Sequence, residues 1–188
     1  EASFALGDLT MMELGGAAQD QINIKISQST NAFGLIIQVN PTNAVAARAW
    51  GRIGDCCLRV SGDQPGYLVH AKTAYEKSLA VTGPVSVNVR SQAHIGLAYT
   101  LERQAGGRER AKMLQDSVDH LLAVFFGRHL KAGEKQDPYW RGQSGLIALR
   151  LLEQLGRYDK THYKQAIDIC VEMERDFQGM RSGLKARR

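Results

Sequence analysis

The sequence predicts an all-helical fold, and three observations carry this prediction. Apolar residues recur at steps of three and four along most of the 188-residue chain, which is the spacing of one helical face. Breaks that contain glycine or proline separate these apolar stripes. The segments between the breaks have helical length and lie near residues 3–14, 19–39, 43–60, 66–82, 86–104, 108–126, 138–155 and 161–177.

The first two segments are separated by Gly15-Gly16, a pair typical of a helix end. The second segment contains Ile22, Ile24 and Ile26, which alternate as they would in a strand. However, Ile22 and Ile26 also share a helical spacing with Phe33 and Ile37, and no partner strand is evident elsewhere. We therefore expect a helix over residues 19–39.

The later helices follow from their stripes and from their start and stop signals. The third helix has a continuous apolar stripe, which consists of Ala46, Ala49, Trp50, Ile53, Cys57 and Val60. Asp137-Pro138 is a strong start signal, an N-cap followed by proline in the first turn. Because the turns are short, we expect four antiparallel hairpins in one repeat domain, near residues 3–39, 43–82, 86–126 and 138–177. Residues 179–188 are predicted to begin a further or capping helix.

Charge is unevenly distributed along the chain. Residues 1–45 hold four acids and one base, which gives a net charge of −3. Because the net charge of the whole chain is +5, the remaining residues carry a net charge of +8. The basic end (Arg181, Lys185, Arg187, Arg188) could bind nucleic acid or an acidic membrane. No aromatic residues interleave with these bases, and solvated terminal charges are the commoner meaning, so nucleic acid is not the expected partner. The longest apolar runs, residues 35–39 and 121–126, are far shorter than the roughly 20 residues that a transmembrane helix needs.

The sequence offers no pattern typical of catalysis or metal binding. Its cysteines, Cys56, Cys57 and Cys170, are odd in number and lack C-x-x-C spacing, so we expect buried thiols and neither a disulfide framework nor a zinc site. Phosphate-loop, dinucleotide-binding and metalloprotease motifs are missing, and no two histidines are three or four residues apart. Asp116 and His120 are one turn apart, which indicates a surface ion pair. We therefore predict no catalytic residues, no metal and no cofactor.

Some predicted helices carry the residue pattern of the first helix of a known two-helix repeat, and others carry the pattern of its second helix. The stretch Trp50-Gly51-Arg52-Ile53-Gly54-Asp55-Cys56-Cys57 fits the first-helix pattern Trp-x-x-Leu-Gly-x-x-Tyr, and Ile95-Gly96-Leu97-Ala98-Tyr99 fits its later part. Ala71, Tyr75 and Ser78 have the small–aromatic–small spacing of a second helix, and Pro84 follows. The sequence thus resembles the tetratricopeptide repeat (TPR) family, and Asn40-Pro41-Thr42-Asn43-Ala44 is similar to bacterial envelope TPR proteins of the outer-membrane assembly lipoprotein and cell-division coordinator type.

The repeat spacing departs from the family pattern. The positions equivalent to the second-helix aromatic are 42, 46 and 49 residues apart, whereas a TPR repeats every 34 residues. These positions are Phe33, Tyr75, Leu121 and Cys170. We therefore expect longer helices or longer turns than in an ordinary TPR.

The resemblance implies a superhelical stack whose concave groove is lined by first helices and receives a peptide or a partner helix. It places Arg48, Asp55, Arg59 and Arg90 in this groove, and Arg141 and Arg150 are further candidates. Arg48, Asp55 and Arg59 are seven and four residues apart, hence on one helical face. Arginines would favour acidic segments or a C-terminal carboxylate. Alternatively, they pair with acids on neighbouring helices.

The sequence thus predicts a protein-binding scaffold and not an enzyme, and two other functions stay open. The chain could be a structural part of a longer array, or a subunit that self-assembles through its ends into a homo-oligomer. It could also bind nucleic acid or a membrane surface through its basic residues, in which case binding should depend steeply on salt. Its cysteine usage is compatible with the cytoplasm and with a bacterial periplasm.

Overall fold

Residues 2–13 and 19–177 are described by a computed structural model. These residues form eight α-helices and one 3₁₀ helix, Gly107–Glu109, and contain no β-strand. The α-helices are α1 (Ala2–Glu13), α2 (Gln19–Val39), α3 (Ala44–Val60), α4 (Tyr67–Ala80), α5 (Val87–Gln104), α6 (Arg110–Phe125), α7 (Pro138–Leu155) and α8 (Thr161–Asp176). The all-helical prediction is confirmed, including the helix over Ile22, Ile24 and Ile26. The predicted further helix at 179–188 and the basic end lie outside the described residues.

Side-chain caps explain where α3 and α7 begin. The Oδ1 atom of Asn43 accepts hydrogen bonds from the backbone N–H groups of Val45 and Ala46, at 2.9 and 3.1 Å. Asp137 caps α7 in the same way, through the backbone of Tyr139 and Trp140, and Pro138 occupies the first turn. Each cap satisfies backbone donors that have no partner within the helix, and it thereby fixes the helix start.

The chain divides into two compact units, Glu1–Thr100 and Leu101–Arg188. In the first unit, α1 packs against α2, α2 against α3, and α3 against α4. The boundary between the units falls within α5, after Thr100. In the second unit, α6 packs against α7, and α7 against α8. Each unit has its own buried apolar residues. That the whole chain is one repeat domain stays a prediction.

Aromatic rings seated on glycines hold the helices of the first unit together. The buried ring of Phe33 in α2 lies over Gly7 of α1, where a Cβ atom would be 2.5 Å from the ring. Similarly, the buried ring of Tyr75 in α4 lies against Gly54 of α3 and against Gly96 of α5. Only glycine leaves room for a ring at these positions, so Gly7 sets how closely α2 approaches α1, and Gly54 sets how closely α4 approaches α3.

The second unit packs on a similar principle with different residues. Gly145 of α7 lies against the Phe125 ring and the Met173 sulfur, and a Cβ atom there would be 2.9 and 2.8 Å from them. The residues at the predicted aromatic-equivalent positions, Leu121 and Cys170, are buried as well. The described core of this unit therefore combines aliphatic side chains with Phe125, Met173 and Cys170.

Candidate partner-binding groove

A groove in the first unit lies between α1, α3 and the start of α5. It has a volume of about 430 Å³ and is bordered by residues of α1, of α3 and of the segment that leads into α5. Its lining residues are Phe4, Ala44, Val45, Arg48, Pro84, Ser86 and Val89. The lining is mostly apolar, and among the described residues that border it Arg48 is the one with a charged side chain.

Arg48 is exposed, and its guanidinium group lies over an aromatic ring of the groove. Its Cζ atom is 4.5 Å from the centre of the Phe4 ring, a cation–π contact that orients the guanidinium plane. Within the part of the chain that the structure describes, no carboxylate forms an ion pair with Arg48. No carboxylate of the described residues therefore occupies its planar set of N–H donors.

Asp55 lies seven residues, about two helical turns, beyond Arg48 on α3, and several side chains of the protein bind its carboxylate. Its carboxylate accepts hydrogen bonds from the Tyr75 hydroxyl at 2.8 Å and from Gln92 Nε2 at 2.9 Å. Arg52 stands 3.5 Å away and also pairs with Asp8 of α1 at 3.2 Å. Asp55 thus joins α3 to α4 and α5, and through Arg52 to α1.

Burial sets the titration of this cluster. Burial raises the pKa of Asp55 above its usual value, and the Tyr75 hydrogen bond and the Arg52 charge oppose this rise. Burial also raises the pKa of Tyr75 well above 10, helped by the neighbouring Asp55 charge. The Tyr75 hydroxyl consequently remains protonated and keeps donating to Asp55.

Arg59 and Arg90 occupy different surroundings from Arg48. Arg59 is exposed on the same face of α3, and its Nη1 atom donates to the backbone carbonyl of Met11 in the last turn of α1 at 2.7 Å. Arg90 is only 8% exposed, and its Nη1 atom donates to the Val85 carbonyl. Of the four residues predicted to form the groove site, the structure therefore places Arg48 at the groove, Asp55 and Arg59 beyond it on α3, and Arg90 in the interior.

The two further arginines both pair with acids of neighbouring helices in the second unit. Arg141 of α7 forms ion pairs with Glu172 and Asp176 of α8, at 3.3 and 2.5 Å. Arg150 binds both carboxylate oxygens of Glu102, near the end of α5. These two arginines correspond to the alternative in which arginines tie helices together.

The three cysteines are buried, as predicted. Burial raises the pKa of Cys56 to about 12 and that of Cys57 to about 11. Because the thiolate is the reactive form, both side chains behave as small apolar residues at neutral pH. Residues 2–13 and 19–177 bring together no group of three or more metal-ligating side chains, and none of their helices combines the length and apolar character that a bilayer crossing requires.

Sequence reasoning missed the apolar part of the groove. Phe4, Val45 and Val89 each border Arg48 in space, yet only Val45 is near it in the chain. The three-residue step from Val45 to Arg48 was a local signal, since such residues share a helical face. The contribution of Phe4 depends on how α1 packs beside α3, which no local pattern reveals.

Comparison of the chain with protein-family models, with curated proteins and with solved structures gives no match. The resemblance to the TPR family therefore stays a prediction.

Proposed function

We propose that this protein is a protein–protein interaction scaffold whose groove binds an extended peptide or a partner helix. The observation that carries the proposal is the exposed Arg48, set over Phe4 in an apolar groove and without an acidic partner among the described residues. A surface arginine usually gains from a nearby carboxylate. A site that offers apolar surface beside an exposed guanidinium is suited to a ligand that supplies a carboxylate.

The size and lining of the groove define the ligand chemistry. Ligand-binding pockets span about 300–1,000 Å³, and the groove falls within this range. Val45 and Val89 provide apolar walls, and Ser86 and Arg48 provide polar ends. The best fit is an acidic peptide in which a carboxylate, from a side chain or from a C-terminus, binds Arg48 while an adjacent apolar side chain enters the groove.

The charges along α3 mark Arg48 as the site for the acidic group of the ligand. Beyond Arg48, the carboxylates of Asp8 and Asp55 are balanced by the guanidinium groups of Arg52 and Arg59, so these four charges sum to zero. Arg52 already pairs with both carboxylates. The acidic group of the ligand is therefore expected at the Arg48 end of the first-helix face.

The proposed fold behind this function is a TPR-like stack of hairpins. Its support is the ring-on-glycine contact, which recurs between α1 and α2 and between α3 and α4 with Phe33 on Gly7 and Tyr75 on Gly54. Recurrence of one contact in successive hairpins is what a repeat architecture requires.

The test is a selection from a random peptide library, followed by titration of one selected peptide against three forms of the protein. We expect acidic peptides that carry an aliphatic or aromatic residue beside the carboxylate. Arg48→Glu should weaken binding at least about tenfold, since it replaces a charge-assisted hydrogen bond with repulsion. Arg157→Glu makes the same charge change at an exposed arginine of the second unit and should leave the affinity unchanged.

The control separates local recognition from general electrostatics. If Arg48→Glu and Arg157→Glu weaken binding equally, and salt abolishes it, then the net positive charge causes the binding and the groove does not. If no peptide is selected at all by the folded wild-type protein, the scaffold proposal fails.

A further inference from the structure

The outer face of α1 is apolar and uncovered. Leu6, Leu9 and Met12 are 60%, 59% and 72% exposed, and Ala2 and Ala5 on the same side of the helix are exposed too. The opposite side of α1 is also apolar, because it packs on α2 through Gly7 and Phe4. A helix that is apolar all round is normally covered all round.

The structure contains a template for what covers such a face. Gly7 of α1 and Gly54 of α3 are equivalent, because each lies under the aromatic ring of its second helix and each is followed by aspartate. They are 47 positions apart. With this alignment, Ala2, Leu6, Leu9 and Glu13 of α1 correspond to Ala49, Ile53, Cys56 and Val60 of α3.

The two sets of equivalent residues differ in their surroundings. The α3 residues pack against α2, where Ala49 and Cys56 contact Phe33, and Val60 contacts Ile22 and Ile26. All four α1 residues are exposed. The position that α2 occupies beside α3 therefore has no counterpart beside α1 among the described residues.

Among the second helices, α8 carries a matching apolar stripe. Tyr163, Ile167 and Val171 are spaced four residues apart, hence on one face, and are 41–47% exposed. We infer that α8 of one copy of this chain docks on the outer face of α1 of a second copy, as α2 docks on α3.

The charges at the ends of the two faces agree with this pairing. The N-terminal half of α2 contacts the C-terminal end of α3, so α2 and α3 are antiparallel. In the same arrangement, the beginning of α8 meets the end of α1. The exposed Lys160 and Lys164 at the start of α8 then lie near Glu13 at the end of α1. The Glu13 carboxylate already pairs with Lys25 of α2 through one oxygen, at 2.5 Å, and its other oxygen can face the lysines of α8.

The contact is heterologous, because it joins two different faces. Each copy therefore keeps one free α1 face or one free α8 face after pairing, and association continues into larger assemblies or closes into a ring. This behaviour distinguishes the α1–α8 contact from a two-fold contact of α1 with α1 or of α8 with α8, which would stop at a dimer.

The test uses Leu9→Lys, which blocks the α1 face, and Ile167→Lys, which blocks the α8 face. Analytical ultracentrifugation over a wide concentration range should show that wild type self-associates. Each variant alone should associate about 10- to 100-fold more weakly, and so be monomeric at concentrations where wild type assembles. An equimolar mixture of the two variants should form a one-to-one complex, since one partner keeps its α8 face and the other its α1 face.

Val69→Lys is the matched control, because Val69 is 62% exposed on α4 and lies outside both faces. It should associate as wild type does. Circular dichroism confirms that each variant is folded, and Met12→Lys with Val171→Lys forms a second pair if either first variant is not. Monomeric wild type at all concentrations overturns the inference, as does a variant that dimerises alone or a mixture that stays monomeric. None of these outcomes bears on peptide binding at the Arg48 groove.

Discussion

At the scale of single residues, the Tyr75 hydroxyl is the partner that makes a buried carboxylate tolerable. Tyr75→Phe removes the 2.8 Å hydrogen bond to Asp55 and leaves a partly desolvated carboxylate with one donor fewer. We expect a loss of about 1.5–3 kcal/mol in the free energy of unfolding, the range for hydrogen bonds to charged groups. Urea denaturation measures the loss. Tyr158→Phe, at a tyrosine that is 62% exposed, should change stability by less than about 0.5 kcal/mol.

Substitution by alanine should have opposite effects on stability at two helical glycines of the first unit, Gly54 and Gly34. Alanine at Gly54 would put a Cβ atom 2.6 Å from the Tyr75 ring, and we expect a net loss of about 1–3 kcal/mol from overpacking. Alanine at Gly34 of α2 meets no atom within 4 Å, so its higher helix propensity should stabilise the protein by about 0.5–1 kcal/mol. Thermal unfolding of both variants checks the contrast. Equal effects at the two sites would mean that the Tyr75 ring does not lie on Gly54.

The residues of the candidate site were predictable to different degrees. The helical positions of Arg48, Asp55 and Arg59 followed from spacing within one helix, and the structure confirms that all three lie on α3. Their partners were not predictable, because the Asp55 contacts to Tyr75 and Gln92 span 20 and 37 residues of chain. Burial of Arg90 also depends on distant packing, which the local pattern around residue 90 does not contain.

At the scale of helices, an ion pair between Asp176 of α8 and Arg141 of α7 joins the two helices. Protonation of Asp176 should therefore lower the free energy of unfolding. Hydrogen bonds from Arg175 and Arg141 lower the pKa of Asp176 from 3.8 to about 2. The unfolded chain therefore binds this proton more readily, so the stabilising contribution of Asp176 is complete above about pH 4 and is lost as the pH falls towards 2.

The corresponding variant is Asp176→Asn, studied by urea denaturation between pH 2 and 5. We expect its unfolding free energy to decline less steeply below pH 4 than that of wild type. Asp168→Asn removes an exposed carboxylate of the same helix and should keep the wild-type slope. An unchanged slope in Asp176→Asn would show that the bond to Arg141 is not formed in solution.

Helix positions were predictable, whereas their ends depended on local turn chemistry. The predicted bounds 19–39 and 138–155 agree with α2 and α7, because apolar periodicity and the Asp137-Pro138 cap define them. Segment 108–126 was expected as one helix, yet Gly107 adopts a φ of +56° and begins a 3₁₀ turn that precedes α6. Helix α4 ends at Ala80, earlier than expected, because Val81 is already extended before Gly83 and Pro84.

At the scale of the whole molecule, an all-helical chain was predictable because its apolar period is helical nearly throughout. A groove that contains Arg48 was predicted from the family resemblance, but its apolar lining was not, because this lining exists only where α1, α3 and the start of α5 lie side by side. Sequence patterns define the faces of each helix, and the relative register of helices follows from contacts such as Phe33 on Gly7. The sequence predicted that Arg48 belongs to the site, whereas the aromatic and aliphatic residues around it were identified only from the structure.

The central claim is that the groove around Arg48 receives the ligand, and NMR mapping of a selected acidic peptide tests it most directly. With methyl- and aromatic-labelled protein, we expect saturable shift changes at Val45, Val89 and Phe4, which vanish in Arg48→Glu and persist in Arg157→Glu. Shift changes confined to Leu6, Leu9 and Met12 of the outer α1 face, or to helices of the second unit, would contradict it.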